Sequence, residues 1–317
     1  MSIKLTLKRT ADFAGLVISP ALAPETLSPE TAGKDAGEVR AVSGKILLSL
    51  GVQKKLSAEM IRRAGGGLAK WLAKNNVTEA GLELAPLFKL AAGPDSIVVN
   101  ALVEGILLGA FTFVNHKSED EKKKDTALTL LVAGAAGASE SALEAFIQKA
   151  TITAEAVNLA REWSHEPPNV INPVTLAERV QKVAAEVGLK CTVLDDKQLN
   201  EMGAGAIVAV GKGSNTPSRL IILEHAGKAG GKPVALVGKA LTMDTGGYSL
   251  KSGENIVTMK YDKSGGMAVI ATLVAAARLG LATPVVGVIA AAENLISSGA
   301  YRPDDILKAL NGKTIEI

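Results

Sequence analysis

Cysteine is almost absent from this chain: Cys191 is the single one among 317 residues. It cannot close an internal disulfide, and such usage suits a reducing compartment such as the cytosol. Histidine is nearly as rare. His116, His165 and His225 lie far apart, and no His–His or His–Cys spacing of a zinc site occurs. Only His116 has carboxylates at helical spacing, Glu119 and Asp120. Both fall in a run of mixed charge, Lys117 to Asp125, that reads as a solvated surface loop, so the three histidines read as surface or packing residues. Neither a G-x-S-x-G elbow nor a convincing Cys–His pair is present, which argues against serine or cysteine nucleophiles. Gly205 to Ser214 contains Gly211-Lys212 but misses the phosphate-loop pattern. Ala206 stands where the first glycine belongs, and Gly213 where Ser or Thr belongs.

Strong charge of one sign is also missing. Thirty-five Lys and Arg against 32 Asp and Glu leave a net +3, and no basic stripe interleaves with aromatics, so nucleic acid is not an expected partner. Met1 to Leu16 mixes Lys4, Lys8, Arg9 and Asp12 into its apolar residues, leaving no signal-peptide core. No stretch approaches an uncharged membrane span. Aromatics make up only 3% of the chain; Ala, Val, Leu and Gly dominate, as they do where helices pack on a largely parallel sheet buried on both faces. The length calls for two domains.

Along the chain, Ile3 to Lys8 reads as a strand and the following stretch to about Gly37 as irregular. Lys45 to Leu50 is extended. Ser57 to Asn75 is helical in pattern but interrupted by Gly65, Gly66 and Gly67. Val98 to Phe113 carries an apolar stripe with one acid, Glu104, and predicts a buried helix. Thr126 to Ala133 reads as a strand, and Ser139 to about Trp163 as a long helix stopped by Pro167-Pro168. The domain boundary is placed in or near that helix, giving an N-terminal domain over 1–150 and a second over 151–317. The second half alternates: helix Thr175 to Val187, strand Lys190 to Leu194, a short helix, then an apolar run Ala206 to Val210 read as a strand. Strands Arg219 to Glu224 and Pro233 to Val237, helix Gly265 to Leu279 and strand Val285 to Ala291 follow. This alternation predicts an α/β sheet, mostly parallel in its later half.

The stretch Pro233 to Met267 concentrates the chemistry. The strand ending at Val237 delivers Gly238-Lys239, then Asp244, Gly246-Gly247, Lys251 and Asp262. Charged groups just past the C-terminal end of a strand lie where open α/β sheets place their sites. Asp244 and Asp262 offer oxygen ligands to a hard cation, and adjacent glycines let backbone approach closely. A desolvated Lys239 near a metal could coordinate as the neutral amine, while a charged Lys251 could polarise a carbonyl and stabilise an oxyanion. The same residues could equally make ordinary surface ion pairs on a Gly-rich turn.

The run Val237 to Lys251, V-G-K-A-L-T-M-D-T-G-G-Y-S-L-K, resembles the M17 leucyl aminopeptidase pattern V-G-K-G-x-T-F-D-S-G-G-x-x-x-K. Met259 to Gly266 resembles that family's M-K-x-D-M-S-G-A. Glu104 to Phe113, Ala160 to Asn169, Glu293-Asn294, Arg302-Pro303 and Asn311 to Thr314 fit further family positions. The resemblance implies an N-terminal α/β, macro-like domain followed by an α/β catalytic domain with a mostly parallel sheet, incomplete in this chain. It also implies an aminopeptidase that takes peptide substrates, prefers leucine-like N-termini and hydrolyses with two metal ions.

By the same resemblance Lys239, Asp244 and Asp262 are metal ligands, with Asp244 shared, Lys251 binds the scissile carbonyl, and Met259 lines the pocket for the substrate's first side chain. Oxygen and amine donors without thiolate or imidazole favour zinc or manganese, with magnesium as a further option. A cytoplasmic homohexamer without membrane attachment is implied too. Departures are Met243, Thr245 and Ala240 for the usual Phe, Ser and Gly, and Lys263 and Met267 where small or apolar residues are usual. In the family an N-T-D-A-E-G-R segment, with further ligands and an arginine, follows the position of Ile317. A chain ending at Ile317 is therefore expected to lack one metal's ligands and to leave a sheet edge uncovered. A second reading is an inactive remnant acting as a binding or scaffold protein.

Overall fold

The computed structural model describes residues 2–23, 33–91, 93–118, 125–132 and 138–317. It separates into two compact units, Met1–Glu155 and Ala156–Ile317.

The first unit contains strands β1 (Ile3–Arg9), β2 (Val17–Ala23), β3 (Val39–Val42) and β4 (Lys45–Val52), helix α1 (Ala58–Lys74), β5 (Glu79–Glu83), α2 (Ala85–Leu90), α3 (Asp95–Ala110) and β6 (Thr126–Val132). Its six-stranded sheet has the order β1-β6-β5-β2-β4-β3 and is parallel except at β3–β4. Strand β2 corrects the expectation of irregular chain before Gly37. Pro20 hid it, since proline is disfavoured inside sheets. The β2–β5 ladder stops at Ile18, so the missing N–H at Pro20 forfeits no bond on that side.

Helix α1 forms despite its three glycines because Ser57 caps its N-terminus by accepting from the Met60 amide at 3.4 Å, and because it crosses α3 at backbone contact. A Cβ on Gly105 would stand 2.0 Å from the Arg62 carbonyl oxygen, and one on Gly109 2.5 Å from Gly66 Cα. Glycine is what this crossing requires. Beside it, the Arg62 guanidinium donates twice to Glu104 Oε2, each at 3.0 Å, which accounts for the one acid on the apolar stripe. Leu48, Leu50, Leu68, Leu72, Leu102, Ile106 and Leu128 build the core between helices and sheet. The charge run at 119–124 and most of the Gly and Ala turn after β6 lie outside the described residues.

Helix α4 (Glu140–His165) carries the chain into the second unit. There follow α5 (Pro173–Val187), β7 (Lys190–Leu194), α6 (Asp196–Glu201), α7 (Gly205–Gly211), β8 (Arg219–His225), β9 (Val234–Asp244), α8 (Gly253–Ile256), α9 (Ser264–Arg278), β10 (Val285–Asn294), β11 (Ile306–Lys308) and β12 (Thr314–Glu316). Asn172 and Thr175 close a capping box on α5, Pro173 opens its first turn, and Gly188 ends it in the left-handed region. Residues Ala206 to Val210 are helical and not a strand: a short apolar run has no periodicity to separate the two, and the turn chemistry on either side decides it.

The four-stranded sheet has the order β7-β8-β10-β9. Strands β9 and β10, joined through the 15-residue α9, are parallel as expected; β8 runs antiparallel to both β7 and β10. Parallel neighbours need a long return connection. Helices α6 and α7 are too short to return the chain, at 6 and 7 residues, and residues 226–233 between β8 and β9 hold no helix at all. The core lies under α5 and α9, with Leu176, Val180, Ile221, Leu223, Met267, Ile270, Leu273 and Ile289. Met267, a departure from the family pattern, is simply core.

Candidate metal centre

Strand β9 runs on through Asp244, so Lys239 lies within the strand and Asp244 is its last residue. The sequence had suggested a strand ending at Val237. Five positions separate the two residues, which in a regular strand puts them on opposite faces. The β9–β10 register slips by one residue between the Leu241–Ala292 and Met243–Glu293 pairs. Lys239 therefore pairs with Ala290 and Asp244 with Asn294, four apart on β10. Thr242 is the residue left over at the slip, and burial alternates through it: Gly238, Ala240, Thr242 and Asp244 are buried, while Lys239 is exposed.

Asp244 is 7% exposed and fully partnered. Its Oδ1 accepts from the Gly246 amide and from the Asn294 side-chain amide, both at 2.8 Å, and its Oδ2 is ion-paired with the Lys251 ammonium. Burial pushes this carboxyl up, but Lys251, Gly246 and Asn294 together outweigh it and hold the group below the usual carboxylate range. The turn makes the pairing possible. Gly246 and Gly247 both have positive φ, at 90° and 61°, and the Lys251 amide donates to Thr245 O at 2.9 Å, folding Lys251 back onto the strand end. Thr245 donates through both its amide and its hydroxyl to Asn294 O, each at 2.9 Å.

Asp262 lies on the 3-10 turn Met259–Lys263 that precedes α9, with Met259, half-buried, at its start. Lys239 Nζ stands 2.8 Å from Asp262 Oδ2 but out of hydrogen-bond alignment, so this buried oxygen has no hydrogen-bond donor among the described residues. Asn294 Oδ1 is likewise buried without one. The sequence reading asked for a desolvated Lys239; its side chain is instead 59% exposed, because β9 is an edge strand. Among the described residues no three His, Cys, Asp or Glu side chains come together as a metal site. Two carboxylates remain, with one oxygen buried and undonated among the described residues, and such hard oxygen donors fit a divalent cation.

Two residues that sequence reasoning left without a role prove central. Asn294 orients Asp244. Lys263, noted only as a departure, is fully buried, and its ammonium donates to the carbonyls of Ser164 at 3.1 Å, Glu166 at 2.8 Å and Lys260. Burial pushes this ammonium down to about 8, with Lys260 adding to the effect and Glu166 opposing it. The histidines have contacts of their own. His165 Nδ1 meets the Tyr261 hydroxyl at 2.8 Å, and His225 Nε2 meets Leu281 O at 2.8 Å. His116 stacks edge-on against Phe113.

The candidate centre thus consists of Asp244 at the C-terminal end of an edge strand, paired with Lys251 across a Gly-Gly turn, and Asp262 on the turn before α9, paired with Lys239. Residues 158–317 match the catalytic domain of the cytosol aminopeptidase family, and residues 36–120 match that family's N-terminal domain. The chain belongs to the cytosol aminopeptidase family.

It is 42% identical over 274 residues to a probable cytosol aminopeptidase of Aquifex aeolicus, covering 86% of this chain and 53% of the relative. Against that of Syntrophotalea carbinolica it is 40% identical over 277 residues, covering 86% and 55%. The chain thus spans about half the length of the curated relatives it matches. The solved bottromycin maturation enzyme BotP, in complex with Mn, superposes with a TM-score of 0.80 at 28% identity, covering 95% of this chain and 64% of that one. No described helix is long and apolar enough to cross a membrane.

Proposed function

We propose that this chain carries active-site residues of a metal-dependent aminopeptidase that removes leucine-like N-terminal residues from peptides. The observation that carries the reading is the buried Asp244 carboxylate at the end of β9, held by Lys251, Gly246 and Asn294. Family membership and the Mn complex of the BotP relative support it. Lys239, Asp244 and Asp262 would hold divalent ions, zinc or manganese first and magnesium next, with Asp244 shared between two. Such ions, when bound, supply Lewis-acid polarisation and a hydroxide-like nucleophile at neutral pH.

The chain's own side chains do the rest. Lys251, held in the site by Asp244, keeps a positive charge where the scissile carbonyl oxygen gains negative charge. Asn294 and the Gly246 amide keep Asp244 ionised and oriented. Met259 lines the pocket for the first side chain. By family resemblance the protein works as a homohexamer in the cytoplasm.

Hydrolysis of Leu-p-nitroanilide by the protein carrying this chain, stripped with a chelator and reloaded with Mn or Zn, tests the proposal. Activity should vanish on stripping, return on reloading and be lost in Lys251→Ala. Failure to release N-terminal residues from any peptide under Mn or Zn would refute it.

A further inference from the structure

The two aspartates are held in different ways. Asp244 is oriented directly, by an amide, a side-chain amide and an ammonium. Among the described residues the buried Oδ2 of Asp262 has no hydrogen-bond donor, and its cationic neighbour Lys239 is out of line. Beyond the 2.8 Å ion pair with Lys239, its position depends on the backbone that carries it.

That backbone is gripped from the side of helix α4. Lys260 Nζ donates to His165 O at 2.9 Å, the Tyr261 hydroxyl meets His165 Nδ1, and Lys263 reaches Ser164 O and Glu166 O. Residues 260, 261 and 263 thus bind residues 164, 165 and 166, close to a hundred positions earlier in the chain. Lys263 alone among the three is wholly buried. An ammonium has three donors, and here all three meet carbonyl oxygens, one of them Lys260 O in the same turn. Carbonyls at a helix C-terminus otherwise lack partners and attract positive charge, so the site matches its occupant. The family pattern has an apolar residue at this position, where no ammonium could make these bonds.

We propose that Lys263 is a positioning residue, whose ammonium locks the Met259–Lys263 turn onto the C-terminal end of α4 and so fixes Asp262 for the cation. The inference rests on the reading of Asp262 as a metal ligand.

Mn2+ is the probe, and its affinity is measured by calorimetry on the metal-free protein alongside amide-hydrogen exchange. Lys263→Met, the apolar choice of the family pattern, should weaken Mn2+ binding about tenfold or more, within the 10- to 100-fold range for groups that support a ligand from behind. Exchange should speed up in residues 259–263 and 164–166 while the sheet stays protected, a localised signature that general destabilisation would not give. Lys260→Ala, at a half-buried position, should shift both readouts the same way by less; if Lys263→Met does not fold, this variant decides the matter.

Wild-type Mn2+ affinity in folded Lys263→Met, with affinity lost in Asp262→Ala, overturns the positioning role alone. Wild-type affinity in Asp262→Ala overturns the metal reading beneath it. Unchanged exchange and affinity in Lys260→Ala, where Lys263→Met is unfolded, overturns the positioning role as well.

Discussion

Asn294, the last residue of β10, donates its side-chain amide at 2.8 Å to Asp244, the last residue of the neighbouring strand β9, and the two are register partners. Both are 7% exposed. A neutral donor thus reaches a buried carboxylate from directly across the sheet, at the one point where the β9 turn leaves it.

Asn294→Ala should destabilise the second unit by about 1.5–3 kcal/mol, the usual worth of a hydrogen bond to a charged group. The sign of its pH dependence follows from Asp244. Its folded pKa lies below the unfolded carboxylate value, so its contribution is present above that value and is lost as pH falls through the folded one. With a donor removed the folded pKa rises and the contribution shrinks, and acid unfolding should begin at higher pH. Urea midpoints from pH 7 down to acid would show this; superimposable curves for both proteins would contradict it.

The two lysines should separate by role. Lys251→Ala should retain bound metal yet lower turnover roughly 100-fold or more, as the loss of an oxyanion-stabilising group does. Lys239→Ala should instead lower metal occupancy. Metal analysis beside steady-state kinetics distinguishes them, and equal metal loss in both would contradict the assignment.

Gly105→Ala should loosen the α1–α3 crossing. The added methyl would stand 2.0 Å from Arg62 O, a backbone atom that can yield only if the helices part. A loss of about 1–3 kcal/mol is expected for overpacking, read as a lower thermal midpoint of the first unit. An unchanged midpoint would mean that the helices are not in contact there.

Cys191 should react slowly with thiol reagents. Burial pushes its thiol up, so thiolate is scarcer than in a free cysteine, whose pKa is about 8.5. The labelling rate should keep climbing at pH values where a free thiol has levelled off. Stability should correspondingly fall as pH rises from the unfolded thiol value through the folded one. A rate profile matching free cysteine would show that the side chain is open to water.

Much of the fold was legible because its signals are local. Ser57, Asn172 with Thr175, and Gly188 mark helix ends by chemistry that acts within a few residues, and the long apolar stripe of α3 announces a buried helix. What misled was local as well. Pro20 argued against β2, and the apolar run at Ala206 to Val210 argued for a strand, because neither carries a sign of its distant neighbours. The three glycines of α1 looked like a flaw until α3 was seen lying against Gly65 and Gly66, and the Gly37 backbone against Gly67.

Sequence by itself determined which side chains are available for chemistry, Lys239, Asp244, Lys251, Met259 and Asp262, and the family they resemble, since motif spacing is a property of the chain alone. Only the tertiary structure decided that Lys239 pairs with Asp262, that Asn294 holds Asp244, and that Lys263 is buried against the end of α4. Register and burial are set by contacts with segments fifty to a hundred residues away. A one-residue slip on a strand reverses which face every later side chain takes, and no local preference records it.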